Sequence, residues 1–170
     1  MIKAQSLHEK ILSNSSEAFS LYEKSRFGEI KESKIMYAPV EALFLIEKHR
    51  LSIFTGKKPV GFDMLMKKLK KIDKKIETKF AVFKDLREKG YIVKSALKFG
   101  AEFRVYEKGS KPGKDHARWI LYTVKETDSL NWHEFAAKNR VAHSTKKNLL
   151  IGIVDDEGDV SYYEISWLKP

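Results

Sequence analysis

The sequence predicts a mixed α/β (α+β) protein, with a small N-terminal α/β unit followed by a C-terminal mixed sheet. Three observations point there. Apolar runs of strand length alternate with stretches of helical period. Turn and helix-end residues, among them Pro39, Gly56, Gly90 and Gly158, fall between them. The hydrophobic fraction of 42% supports a real core, while no apolar run approaches the ~20 residues that span a bilayer.

In chain order, Asn14 with Glu17 three residues later resembles a capping box opening a helix through Tyr22. Lys34–Tyr37 reads as a short strand, and Pro39 then starts a helix over 40–48. Residues 51–54 read as a strand, followed by a turn over 56–59. From Phe62 an amphipathic helix sets Met64, Leu65, Leu69 and Ile72 against a lysine-rich face. The charged stretch 72–75, poor in large apolar groups but without Gly or Pro, predicts a short or helical link; the expected domains are 1–75 and 76–170.

Beyond that link, Phe80, Phe83 and Leu86 keep helical spacing, and Gly90 suits the residue just past that helix. Strands are predicted over 91–94, 102–106 and 116–124, with a polar loop over 107–115. A helix is predicted over 130–145, and 149–154 with 160–167 form a terminal hairpin around the acidic turn 155–159.

Composition narrows the function. The formal net charge is +10, the footprint expected for a polyanionic partner such as nucleic acid. The absence of cysteine removes disulfides and thiolate metal sites, and the N-terminus shows no secretory apolar segment, so cytoplasmic residence is the expectation. His133-Glu134 is followed by Ala137 where a zinc protease helix needs histidine, and the five histidines keep no metal-site spacing. Neither a phosphate-binding P-loop nor a G-x-G-x-x-G is present. No metal and no cofactor is expected.

What remains is acid–base chemistry on a substrate that carries its own nucleophile. RNA is such a substrate, because its 2′-hydroxyl can attack the adjacent phosphorus. Tyr106, His116 and Lys147 together supply a phenol, an imidazole and an ammonium. An imidazole, with an ordinary pKa near ~6.5, can donate a proton at working pH. A phenol, ordinarily near ~10, needs cations such as Arg104 or Lys147 nearby to act as a base. Taken singly, the same residues also fit duller roles: a half-buried core tyrosine, a surface histidine and a lysine answering a helix dipole.

Four segments resemble the archaeal tRNA-splicing endonucleases: Phe99-Gly100 with Phe103-Arg104-Val105-Tyr106; His116-Ala117-Arg118-Trp119; Arg140-Val141-Ala142-His143-Ser144 with Lys147; and 154–163. The resemblance covers the second half in order, with a looser likeness over 18–28 and 39–47. It implies a restriction-endonuclease-like nuclease domain at 76–170 and a structural, assembly role for 1–75. It also implies a metal-independent cut of precursor tRNA at a bulge–helix–bulge, giving a 2′,3′-cyclic phosphate and a 5′-hydroxyl. Tyr106 would be the general base, His116 the general acid and Lys147 the transition-state stabiliser. Arg140 and Tyr162 match the pair that holds a bulged base, with tyrosine standing where some relatives carry arginine; Arg104 is a further RNA contact. Asp155, Asp156, Glu157 and Asp159 match the loop that docks on a neighbouring subunit. The implied assembly is a dimer or homotetramer, or a heterotetramer with a paralogous structural subunit, and no membrane is involved. The alternative expectation is a non-catalytic RNA-binding subunit of such an assembly.

Overall fold

The structure, a computed structural model, describes residues 1–7 and 10–168. The chain forms two compact units, Met1–Phe80 and a second from Ala81 onward.

In the first unit six strands form one mixed sheet: β1 (Ile2–Leu7), β2 (Lys10–Ser13), β3 (Glu29–Lys31), β4 (Lys34–Tyr37), β5 (Leu51–Thr55) and β6 (Lys58–Val60). Their order is β3-β4-β2-β1-β5-β6, and β1 and β5 are parallel. The sequence reading contains neither β1 nor β2. Ile2 and Ala4 point inward while Lys3 and Gln5 face out, an alternation too brief to stand out, and the pairing that holds β1 comes from β5 far along the chain. Three helices accompany the sheet: α1 (Ser16–Ser25), α2 (Pro39–Glu47) and α3 (Phe62–Ile72). Ser15, rather than Asn14, caps α1, its Oγ accepting the Ala18 N–H at 3.2 Å. Buried Glu41 near the start of α2 accepts the Gly28 and Ala38 N–H groups, each at 3.0 Å.

Helix α4 (Ile76–Glu88) straddles the two units. Its first turn is tied to the α3 end of the first unit: Lys70 pairs with Glu77 and Lys79 with Asp73, both at 2.6 Å, and the Phe62 and Phe80 rings meet at 5.4 Å. These contacts lie within the first unit, which runs to Phe80.

The second unit is a five-stranded mixed sheet of β7 (Ile92–Ser95), β8 (Phe103–Tyr106), β9 (Trp119–Lys125), β10 (Asn148–Val154) and β11 (Val160–Ile165). The order is β11-β10-β9-β8-β7, with β9 and β10 parallel and α5 (Trp132–Ser144) crossing between them. Ala142 of α5 packs with Ile120, Tyr122, Leu149 and Ile151 on one face. On the other face Phe83 of α4 meets Phe103, ring centroids 5.9 Å apart, and Val82 lies over Gly152. Strand β9 begins at Trp119, so 116–118 stays outside the ladder, later than the sequence predicts. Among the described residues no helix is long and apolar enough to cross a membrane.

Candidate active site

Strand register builds the site. Val105 of β8 pairs with Trp119 of β9, and Trp119 pairs with Asn148 of β10. One step further out on each chain stand Tyr106, Arg118 and Lys147. The end of β8 and the starts of β9 and β10 therefore share one end of the sheet. Neighbouring strands lie ~4.8 Å apart, so the Tyr106 and Lys147 backbones are separated by roughly 10 Å. A phosphodiester fits between a phenol and a lysyl chain rooted that far apart.

Each side chain is held by a different device. The Tyr106 ring is buried against Ile92 and Ala117. His116 is exposed, immediately before Ala117, in the stem of the loop that follows β8. That stem is fixed by the Arg118 N–H, which donates to the Val105 carbonyl at 3.0 Å, and by an Arg118–Glu107 ion pair of 2.6 Å that links the two ends of the loop.

Lys147 owes its place to the way α5 ends. The Lys147 N–H donates to the Ala142 carbonyl at 2.9 Å and the Lys146 N–H to that of His143 at 2.9 Å, a Schellman motif. Lys146 adopts the left-handed conformation at φ 56°, a place usually given to glycine. The Lys147 ammonium donates to the Thr145 carbonyl at 2.8 Å. Burial, and then the nearby positive charge of Arg104, hold its pKa below the ordinary lysine value. Arg104, two residues before Tyr106 on β8, is itself anchored through Nε to the Ser95 carbonyl at 3.1 Å.

The remaining sequence-predicted residues lie elsewhere. Arg140 is exposed on the C-terminal half of α5. Tyr162 pairs with Gly152, which is level with Thr123, four residues along β9 from Trp119. It faces α4: its hydroxyl donates to Asp85 at 2.7 Å and Lys89 lies 5.3 Å over its ring. Burial and the Asp85 carboxylate push this phenol upward, the reverse of what a base needs. Within one copy Tyr162 is thus not brought to the end that carries Tyr106 and Lys147. The acidic residues occupy the turn after β10, at the other end of the sheet. Asp156, Glu157 and Asp159 are exposed, and Asp155 accepts the Glu157 and Asp159 N–H groups at 3.0 and 2.9 Å. Among the described residues no three metal-ligating side chains cluster.

Sequence reasoning missed Glu107, Arg118 and Lys146, which position rather than react. The first two read as a polar loop residue and a ladder residue; nothing in a lysine signals a left-handed helix end.

Similarity to known proteins covers both units. Residues 76–162 match the tRNA intron endonuclease catalytic C-terminal domain, and residues 2–66 match the tRNA intron endonuclease N-terminal domain. The chain is 41% identical over 149 residues to a tRNA-splicing endonuclease of Pyrococcus horikoshii, covering 88% of this chain and 85% of the relative. A tRNA-splicing endonuclease of Nanoarchaeum equitans is 40% identical over 137 residues, 77% of this chain and 88% of the relative. One from Methanothermobacter thermautotrophicus is 35% identical over 150 residues, covering 88% and 87%.

Proposed function

The chain belongs to the tRNA intron endonuclease family, whose activity is endonucleolytic cleavage in tRNA splicing, and from that premise we propose how this chain cuts. Tyr106 takes the proton from the 2′-hydroxyl at the junction as that oxygen attacks the adjacent phosphorus. The bond from phosphorus to the 5′-oxygen breaks, and His116 gives that oxygen its proton. The products are a 2′,3′-cyclic phosphate and a 5′-hydroxyl. Lys147 faces the non-bridging oxygens, where charge builds in the transition state. The observation that supports this reading is the shared end of β8, β9 and β10, where Tyr106 and Lys147 stand and where the loop stem bearing His116 enters β9.

The substrate is precursor tRNA carrying a bulge–helix–bulge, because RNA is read at splayed bases and by shape. Arg140 and Arg104 contribute cations to the RNA. Two bulges require two active sites in fixed relation, which a two-fold assembly supplies. The turn bearing Asp155, Asp156, Glu157 and Asp159 docks on a basic surface of a neighbouring subunit. Edge strand β11, with Tyr163 exposed on it and Trp167 exposed just beyond it, offers a second contact, since an unpaired apolar edge is a liability in a monomer. The neighbours are further copies or a paralogous structural subunit.

The reaction is tested by incubating a bulge–helix–bulge precursor with the protein in excess EDTA and resolving the 3′ ends. Cutting that persists and yields a cyclic phosphate is expected. Cutting that stops, or a 3′-phosphate that never passes through a cyclic form, overturns the mechanism.

A further inference from the structure

The charge of this chain does not sit mainly with its chemistry. Residues 1–80 hold 17 of the 33 lysines and arginines and 10 of the 23 acids, so the first unit carries +7 of the +10. The second unit, with Tyr106, His116 and Lys147, is left with +3. Within the first unit, 64–80 holds seven lysines against Asp73 and Glu77, a net +5.

Six of those seven lysines are exposed. Helix α3 turns Phe62, Leu65, Met66 and Leu69 inward, while Lys67, Lys68, Lys70 and Lys71 are exposed, as are Lys74 and Lys75 just beyond. Asp63, Met66, Lys67, Lys70 and Lys71 line a shallow groove on this surface. Lys70 and Lys79 are neutralised by Glu77 and Asp73. Among the described residues Lys67, Lys71 and Lys74 have no carboxylate partner. Lys67 and Lys71 stand at i and i+4 on one side of α3, about 6 Å apart along the axis, and Lys74 follows two residues past the helix end, a basic stripe along the chain. Lys67 and Lys71 repel each other at that spacing, although Lys71, in the last turn, also answers the helix dipole.

We propose that the Lys67–Lys71–Lys74 stripe binds the phosphate backbone of the RNA substrate, as a second contact separate from the catalytic end. The inference rests on the family reading above for the identity of the RNA. The kind of cation favours RNA over a protein partner. All seven basic residues in 64–80 are lysines and none is arginine. Lysine is a hydrated point charge suited to phosphates without regard to sequence, whereas arginine dominates where carboxylates are gripped in pairs, and lysine is depleted at protein interfaces. The rival occupant is the acidic turn of a second copy.

The test compares the full chain carrying K67Q, K71Q and K74Q with the unaltered chain, both in a His116→Ala background so that RNA survives the measurement. Affinity for precursor tRNA is measured across a salt series, with mass by light scattering and thermal melting as controls. The triple variant is expected to lower the slope of log affinity against log salt by about 2–3 and to weaken binding at least about tenfold near ~0.1 M salt. Mass and melting should stay unchanged, and arginine at the three positions should restore the slope. An unchanged slope overturns the proposal. So does a fall in mass, which would assign the stripe to the acidic turn. Cleavage by the triple variant with His116 intact should show a raised KM and an unaltered kcat. If the unaltered chain binds precursor tRNA but does not cut it, the catalytic reading fails while the stripe stands or falls on its slope.

Discussion

The two ends of the second sheet are built from the same strands and present different side chains. Because β9 and β10 are parallel and joined by α5, both begin at one end, where antiparallel β8 finishes. Three remote pieces of chain thus meet there, and each brings one polar side chain held from behind: Tyr106 by packing, His116 by a clamped loop stem, Lys147 by a helix end. The other end of β10 is a single turn whose acids are organised by Asp155 through the turn's own N–H groups. Convergence of strands suits chemistry, which needs unlike groups around one phosphate. A local turn suits docking, which needs one sign of charge presented outward.

The sharpest way to break this contrast is at His116. With His116→Ala the single-turnover cleavage rate at saturating RNA should fall by about 10²–10⁴, with RNA affinity little changed. An unaffected rate would return the chain to the role of a non-catalytic subunit. Lys147→Met should cost about 10²–10³ in the same assay, the scale of one lost transition-state contact. At the opposite end, D156N, E157Q and D159N together should leave the unimolecular step within a few fold and instead lower the mass seen by light scattering. If they abolish the chemical step in an assembly of unchanged mass, the two ends are not separable.

A subtler experiment reads the charge balance of the catalytic end. Burial and Arg104 depress the Lys147 pKa, so the ammonium is lost earlier than usual as pH rises. Where that form is required, cleavage declines as pH climbs through the depressed value. Between the folded and unfolded values the unfolded chain binds more protons, so this group makes stability rise with pH there. Arg104→Gln removes the like charge and should move the Lys147 titration, followed by ¹³C NMR of labelled lysine, to higher pH. The alkaline limb of the rate at saturating RNA should move with it. A titration that stays in place would mean that Arg104 does not govern this ammonium.

The two faces can be contrasted as well. A Cβ at Gly152 would sit 3.2 and 3.3 Å from the Val82 methyls and 3.5 Å from the Tyr162 ring, on the face that α4 covers. Gly152→Ala should therefore destabilise the chain by about 1–2 kcal/mol in denaturant titration, through forced repacking. Cleavage at a temperature where the variant is folded should stay near normal. A large loss of activity without loss of stability would mean that the α4 face communicates with the catalytic end.

How far the sequence could be read depends on whether a residue's surroundings are local. Helix α3 was legible as an element because apolar residues recur at helical spacing, but Met64 and Ile72, expected on its apolar face, are exposed, and Phe62 and Met66 turn inward instead; β10 was legible because an apolar run is bounded by a lysine pair and an acidic turn. Tyr106, His116 and Lys147 stood out as possible chemistry and by resemblance to a family, whereas the register that puts Tyr106 and Lys147 at one end of the sheet is a non-local fact. Strands β1 and β2 were not legible, because their pairing partners supply what their own pattern lacks. The contacts of Tyr162 with Asp85 and Lys89 were not legible for the same reason: which face a strand residue takes follows from alternation within a register that only the folded sheet defines.

Lys146 carries the smallest effect and the closest test of how the catalytic end is assembled. Its left-handed backbone is strained for any residue with a Cβ, yet it is the hinge of the Schellman motif that delivers Lys147. Lys146→Gly relieves that strain but loosens the unfolded chain, so the net gain should be only about 0.5–1 kcal/mol in denaturant titration. Because the hydrogen bonds that set Lys147 are formed by backbone, the cleavage rate should hold within about twofold, an effect below ~0.5 kcal/mol. Lys146→Val meets the same φ with a β-branched side chain and should lose both stability and rate. Were the glycine variant to lose rate while gaining stability, the Lys146 ammonium itself, and not only its backbone, would belong to the site.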